Sequence, residues 1–201
     1  MKKLLCLLFG FIALGCFSQA NAELLTKNDY VKLLNVGNKI LKANNIDKRL
    51  TFNFTAIGHQ GCYPVYADTS RVNDYNLHNN RIVNVYVADY FRIKTDDELA
   101  AILSHNIAQG VHSYTGVLNG QLFFTKNGLL HIAKRNELMF DKTAVDYMVN
   151  AGYNPYAIVT AYEKILPEWR GTFWLRHNKA EKRISTVKKY IEENYPGTYK
   201  L

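Results

Sequence analysis

Residues Thr95 to Tyr114 read TDDELAAILSHNIAQGVHSY, and their periodicity predicts a buried helix around which the rest of the chain packs. Thr95 followed three residues later by Glu98 is a capping-box pattern, in which a hydroxyl and a carboxylate satisfy backbone N–H groups that a first helical turn leaves without partners. Leu99, Ile102, Leu103, Ile107 and Val111 recur at spacings of three and four, so one face is apolar. His105 and Gln109 fall on adjacent turns of this helix, with Asn106 next to the histidine.

Residues four apart on a helix share a face. The pattern His-Glu-x-x-His therefore lets two imidazoles hold one zinc ion while the glutamate takes a proton from the metal-bound water. Here the five residues are His105-Asn106-Ile107-Ala108-Gln109. A single histidine in an amphipathic helix defines no metal site, and read alone it is an ordinary core or boundary histidine.

The surrounding sequence carries more. TDDELAAILSHNIAQ resembles the TDDELAAVLAHEIAH segment of zinc metallopeptidases of the CAAX prenyl protease and HtpX type, including their small periplasmic members. Asn136-Glu137-Leu138-Met139-Phe140-Asp141, followed by Ala151-Gly152-Tyr153-Asn154-Pro155, resembles that family's second helix, which carries Glu-Ala-Asp and ends in Ala-Gly-Tyr-Asp-Pro. Leu175-Arg176-His177-Asn178 with Arg183-Ile184 is similar to its Thr-His-Pro segment and the Arg-Ile beyond it. The likeness runs from about Leu50 to Ile191. It implies one α+β domain of the zincin-like metallopeptidase type, mostly helical, with a small mixed sheet packed on the helix of His105. It also implies that His105, Gln109 and Met139 stand at the three zinc-ligand positions and Asn106 at the general-base position. Asp141 then orients a ligand histidine from the second rank, and His177 is the cleft histidine near the reacting carbonyl.

At those positions the chemistry is missing. Asparagine takes up no proton near neutral pH, so Asn106 cannot be the base. Gln109 offers a neutral amide oxygen and Met139 a thioether, whereas such zinc sites use His, Cys thiolate or carboxylate. Glu137 lies about 200° round a helix from Met139 and faces away from any site that Met139 faces. His112 lies about 10 Å along the helix from His105, too far to share an ion. His105 with Met139 would suit only a soft ion such as Cu(I). The expectation is no catalytic residue and no bound metal, with zinc only if His105, Asp141 and His177 serve a non-standard site. The function implied is a degenerate, catalytically inactive metallopeptidase-like protein of the bacterial envelope that binds polypeptide or a partner protein. The alternatives are a metalloendopeptidase hydrolysing peptide bonds with a non-standard metal site, and a purely structural subunit.

With 201 residues and 48% hydrophobic content the chain can bury one substantial core. The division expected is a signal peptide at 1–22 and one domain at 23–201. Lys2 and Lys3, the apolar run Leu4 to Phe17 and the small residues Ala20-Asn21-Ala22 supply the three regions of a signal peptide. Export to the periplasm follows, or an outer-membrane lipoprotein if Ala13-Leu14-Gly15-Cys16 is processed instead and Cys16 is lipidated. Ordinary cleavage leaves Cys62 as the one cysteine, which excludes an intramolecular disulfide. The formal charge of +8 becomes +6 once Lys2 and Lys3 are removed, which permits peripheral association with anionic membrane. Lys179, Lys182, Arg183, Lys188 and Lys189, interspersed with Glu181, Glu192 and Glu193, read as a solvated helix face. No nucleic-acid-binding motif is present, and export argues against such a partner.

Elsewhere, Tyr30, Leu33, Leu34, Gly37, Ile40 and Leu41 predict a first helix with its apolar side inward, capped by Asn28 or Thr26. LTFNFTAI, Leu50 to Ile57, alternates as a half-buried strand, and RIVNVYVA, Arg81 to Ala88, reads as a buried strand running directly into the central helix. Tyr63 to Asp68 and Arg71 to Leu77 are further short strand candidates. Helices are expected from Leu129 to Asn150, from Pro155 to near Pro167, and from Asn178 to about Asn194, the last capped by Asn178 with Glu181.

Overall fold

The computed structural model describes residues 25–57, 80–114, 126–166 and 178–199. The strand candidates at 63–68 and 71–77, the signal-peptide residues with Cys16, and Cys62 and His177 lie outside them. In chain order the elements are α1 (Lys27–Ala43), β1 (Thr51–Ile57), β2 (Asn80–Tyr86), α2 (Val87–Arg92), α3 (Asp96–Tyr114), α4 (Lys126–Asn150), α5 (Ala157–Ile165) and α6 (Ala180–Asn194). Among the described residues this is a mostly helical α+β arrangement with a two-stranded parallel sheet.

The central helix α3 packs against α1, α4, α5 and β2. Leu99, Leu103 and Ile107 are wholly buried, and so are Ala100, Ala101 and Ala108, whose small side chains let neighbouring helices approach closely. Its capping box is half formed. The Glu98 N–H donates to Thr95 Oγ1 at 3.1 Å, but the Glu98 carboxylate accepts from the Lys94 N–H at 2.6 Å and from the Lys164 ammonium of α5. The buried carboxylate thus ties the start of α3 to a second helix. Burial raises the Glu98 pKa, and these donors outweigh it, so the net shift is downward.

In the sheet Phe52 pairs with Arg81 and Phe54 with Val83, and the inward side chains Phe52, Phe54, Val83 and Val85 are buried. Thr55 and Asn84 face the other way and hydrogen-bond across the ladder. The second strand is shorter than its composition suggests. It stops at Tyr86, and α2 intervenes before α3, because Val87, Tyr90 and Ile93 turn inward at a spacing of three. The sheet meets α3 at Gly110, whose absent Cβ leaves room for the Phe52 ring: a Cβ there would lie 2.9 Å from it. Arg81 Nε donates to the Gly110 carbonyl oxygen at 3.1 Å in the same contact.

α1 begins at a complete capping box, with Thr26 N–H donating to Asp29 Oδ2 at 2.8 Å and Asp29 N–H donating to Thr26 Oγ1 at 3.3 Å. Leu33, Val36, Gly37, Ile40 and Leu41 face the core. Tyr30 and Leu34, expected there, are 38% and 43% exposed, because Val36 takes the inner position and rotates the apolar side away from them. At its far end Asn44 donates to the Ile40 and Tyr147 carbonyls and accepts from Asn150 Nδ2 at 2.8 Å, joining α1 to the end of α4. Gly152, at φ +71°, ends α4 in the left-handed conformation that favours glycine. Asn154 opens the turn into α5 by accepting the Tyr156 N–H. α6 starts after Lys179 with no side-chain cap, since Asn178 is engaged elsewhere. Its distal half is held by Tyr190 and Tyr195, both donating to Asp146 of α4.

Gly37 is the tightest contact on α1, because a Cβ there would fall 2.4 Å from Phe54 Cζ. Alanine ordinarily stabilises a helix interior relative to glycine by about 1 kcal/mol. Here Gly37→Ala is expected to destabilise the protein by about 1–3 kcal/mol through overpacking. Phe54→Leu in the same chain should recover part of the loss, as read by urea denaturation.

Candidate functional site

The sequence-predicted residues of α3 meet different neighbours. His105 faces α4, where its Nδ1 lies 2.9 Å from Asp141 Oδ1. Asn106 and Gln109 instead line a small cavity with Phe52, Arg81, Ile82, Val83 and Gly110, between α3 and β2. That cavity is about 20 Å³, room for about one water molecule.

Asp141 has no exposed surface, and both of its carboxylate oxygens are engaged. Oδ2 accepts from Arg183 Nε at 2.8 Å, and Oδ1 accepts from Arg183 Nη2 at 2.6 Å, from the Tyr162 hydroxyl and from His105 Nδ1. Burial raises the Asp141 pKa, but the Arg183 charge, its two hydrogen bonds and His105 outweigh it and hold the carboxyl well below the usual carboxylate range. This contact with a buried carboxylate orients the His105 ring.

Arg183 is 3% exposed, and its guanidinium stacks 4.3 Å from the Tyr162 ring centre, donates to the Tyr162 oxygen at 2.7 Å, and pairs through Nη1 with Glu137 Oε1 at 3.3 Å. The other Glu137 oxygen accepts the Asn178 backbone N–H at 2.7 Å and its Nδ2 at 2.9 Å. Burial lowers the Arg183 pKa, and Asp141, Tyr162 and Glu137 more than restore it, so the side chain stays charged. Burial, reinforced by Asp141, pushes the Tyr162 hydroxyl well above its ordinary pKa, so it remains a neutral donor. Side chains from α3, α5 and α6 thus converge on one carboxylate of α4.

Two assignments change. Glu137 stands one helical turn before Asp141, and both pair with Arg183, so the face of α4 that meets His105 is theirs. Met139, two residues from each, is about 200° from that face. It is partly buried, and its carbonyl accepts the Thr143 hydroxyl at 3.0 Å. The solvated basic face expected for α6 holds for Lys179, Lys182 and Lys189, which are exposed, but Arg183 turns inward. A spacing of four sets Arg183, Val187 and Ile191 on the inward face, and that stripe is the signal which marks the arginine as buried. Tyr162 sits in an apolar stripe with Ile158, Ala161 and Ile165 and reads from sequence as plain core. His112 stacks against Phe140 at 5.4 Å, and burial lowers its pKa.

Both Asp141 and Glu137 are thus engaged by Arg183, with Tyr162 and His105 also on Asp141 and Asn178 on Glu137. Among the described residues no group of three or more His, Cys, Asp and Glu side chains is placed to hold a metal ion, and no helix is long and apolar enough to cross a membrane.

Arg183→Met leaves two buried carboxylates without their cation and is expected to cost about 3–5 kcal/mol in urea denaturation. Adding Asp141→Asn should return part of it. Because the folded Asp141 carboxyl binds protons more weakly than the unfolded one, its contribution is complete above about pH 4 and lost as the pH falls further. Asp141→Asn should flatten that acid limb of the stability–pH curve. Compared with protein-family models, with characterised proteins and with solved structures, the chain shows no significant match.

Proposed function

We propose that this chain is a zincin-like, catalytically inactive relative of the CAAX prenyl protease and HtpX-type metallopeptidases, exported to the bacterial envelope, which binds extended polypeptide across the mouth of the cavity where α3 meets β2. The observation that carries the reading is the split environment of α3. The groups facing the cleft, Asn106 and Gln109, are neutral amides, while the carboxylates near His105 are locked by Arg183 and Asn178. Amides donate and accept at once, as a peptide backbone requires of a partner. A cavity of about 20 Å³ is far below the several hundred Å³ of small-molecule sites, so a ligand meets it by lying along its mouth. Among the described strands β2 has β1 alone as neighbour, and a strand edge beside a cleft suits addition of an extended segment.

One observation favours the alternative of a metalloendopeptidase with a non-standard metal site. A histidine whose Nδ1 is held by a buried carboxylate is oriented as metal-binding histidines commonly are. Binding of a fluorescein-labelled, reduced and carboxymethylated casein, followed by anisotropy, separates the two. On the binding reading, association is saturable, leaves the casein intact, and weakens at least about tenfold, or about 1.4 kcal/mol, when Asn106→Trp or Gln109→Trp fills the cleft. Casein cleavage that chelator stops and His105→Ala abolishes would establish the enzyme instead. Binding indifferent to both tryptophan variants would sink the cleft as the binding surface.

A further inference from the structure

We propose that the outward side of α1 is a docking surface for an anionic lipid bilayer. Tyr30, Val31 and Leu34 are 38%, 45% and 43% exposed, although all three lie on a helix whose other side is packed into the core. Spacings of three and four place them together on one side of its N-terminal half. Lys27 and Lys42 are exposed on the same side, within about 80° of Leu34 around the helix. The other two lysines of α1 are drawn away: Lys32 pairs with Asp96 at 2.9 Å, and Lys39 lies 4.0 Å over the Tyr153 ring. The one acidic residue of α1, Asp29, lies about 140° from Leu34 and is held by Thr26 and by the Tyr90 hydroxyl. The outward side of α1 therefore combines apolar side chains with cations, and the carboxylate that borders it beside Val31, that of Asp96, is paired with Lys32.

That chemistry fits a membrane surface better than a protein. A stable protein partner covers about 800 Å² on each side, more than three side chains supply. A second copy related by a two-fold axis would bring the same lysines face to face. A bilayer needs no matching pocket: apolar side chains enter the headgroup boundary while lysines meet anionic headgroups, and the two contributions add. The surface is separate from the cleft of Asn106 and Gln109, so it stands whatever that cleft binds.

The test is vesicle co-sedimentation of the chain from Glu23 onward, which retains every described core residue and omits the apolar run Leu4 to Phe17 that would itself bind lipid. The vesicles are phosphatidylglycerol with phosphatidylcholine, against phosphatidylcholine alone. The expected result is binding to the anionic vesicles only, weakened by salt. Val31→Ser with Leu34→Ser should reduce it at least about tenfold, and Lys27→Gln with Lys42→Gln several-fold, with unchanged thermal unfolding. Three results would each overturn the proposal: no binding to anionic vesicles at low salt, equal binding by wild type and both double variants, or a wild-type dimer in sedimentation velocity that the double variants dissolve.

Discussion

A single buried carboxylate, that of Asp141, sets the terms for most of this structure. Its oxygens accept hydrogen bonds from side chains on three other helices, and it has no access to water. A buried charge is tolerated only when it is paired and hydrogen-bonded, so α3, α5 and α6 must hold their positions against α4 together. The apolar core under them supplies most of the favourable free energy of folding, but it would accept small slides between helices. The bidentate contact with Arg183 would not, because two parallel N–H···O bonds fix orientation as well as distance.

The same network shapes what the site can do. Asp141 is cut off from water and engaged by Arg183, Tyr162 and His105, and Glu137 is engaged by Arg183 and Asn178. Arg183 supplies positive charge at the centre of the cluster, and does so permanently. The imidazole of His105 is oriented but stands beside an amide instead of a base. Asn106 and Gln109 line the cavity beside the sheet, where their neutral groups need no counter-charge.

Much of this was legible in the sequence, and the exceptions have physical causes. The central helix could be read from Thr95, Glu98 and the spacing of Leu99, Leu103 and Ile107, because buried helices write their period plainly. The pairing of His105 with Asp141 followed from the resemblance. Arg183 was misread because an arginine among lysines and glutamates looks solvated, and its inward register is visible only against Val187 and Ile191. The choice of Met139 over Glu137 depended on which face of α4 meets His105, and that is a property of the packed pair, not of α4 alone. Tyr30 and Leu34 satisfied a helical period as well as the true core residues did, and only the docking of Val36 decides between them. α2 was hidden because Val87 to Tyr90 has strand-like composition and its single turn is imposed by neighbouring burial.

The join between Asn44 and the end of α4 has a bearing on how the molecule is made. Asn44 bonds to Tyr147 and Asn150, 103 and 106 positions further along the chain. During synthesis α1 therefore emerges long before the segment that secures its far end. Contacts so distant in sequence form late, after loop closure has been achieved by other parts of the chain. Until then Leu33, Val36 and Ile40, which end up in the core, remain open to solvent alongside Tyr30, Val31 and Leu34. The nascent protein thus carries for some time a helix with apolar side chains open to solvent on two sides, a surface prone to association until the end of α4 arrives.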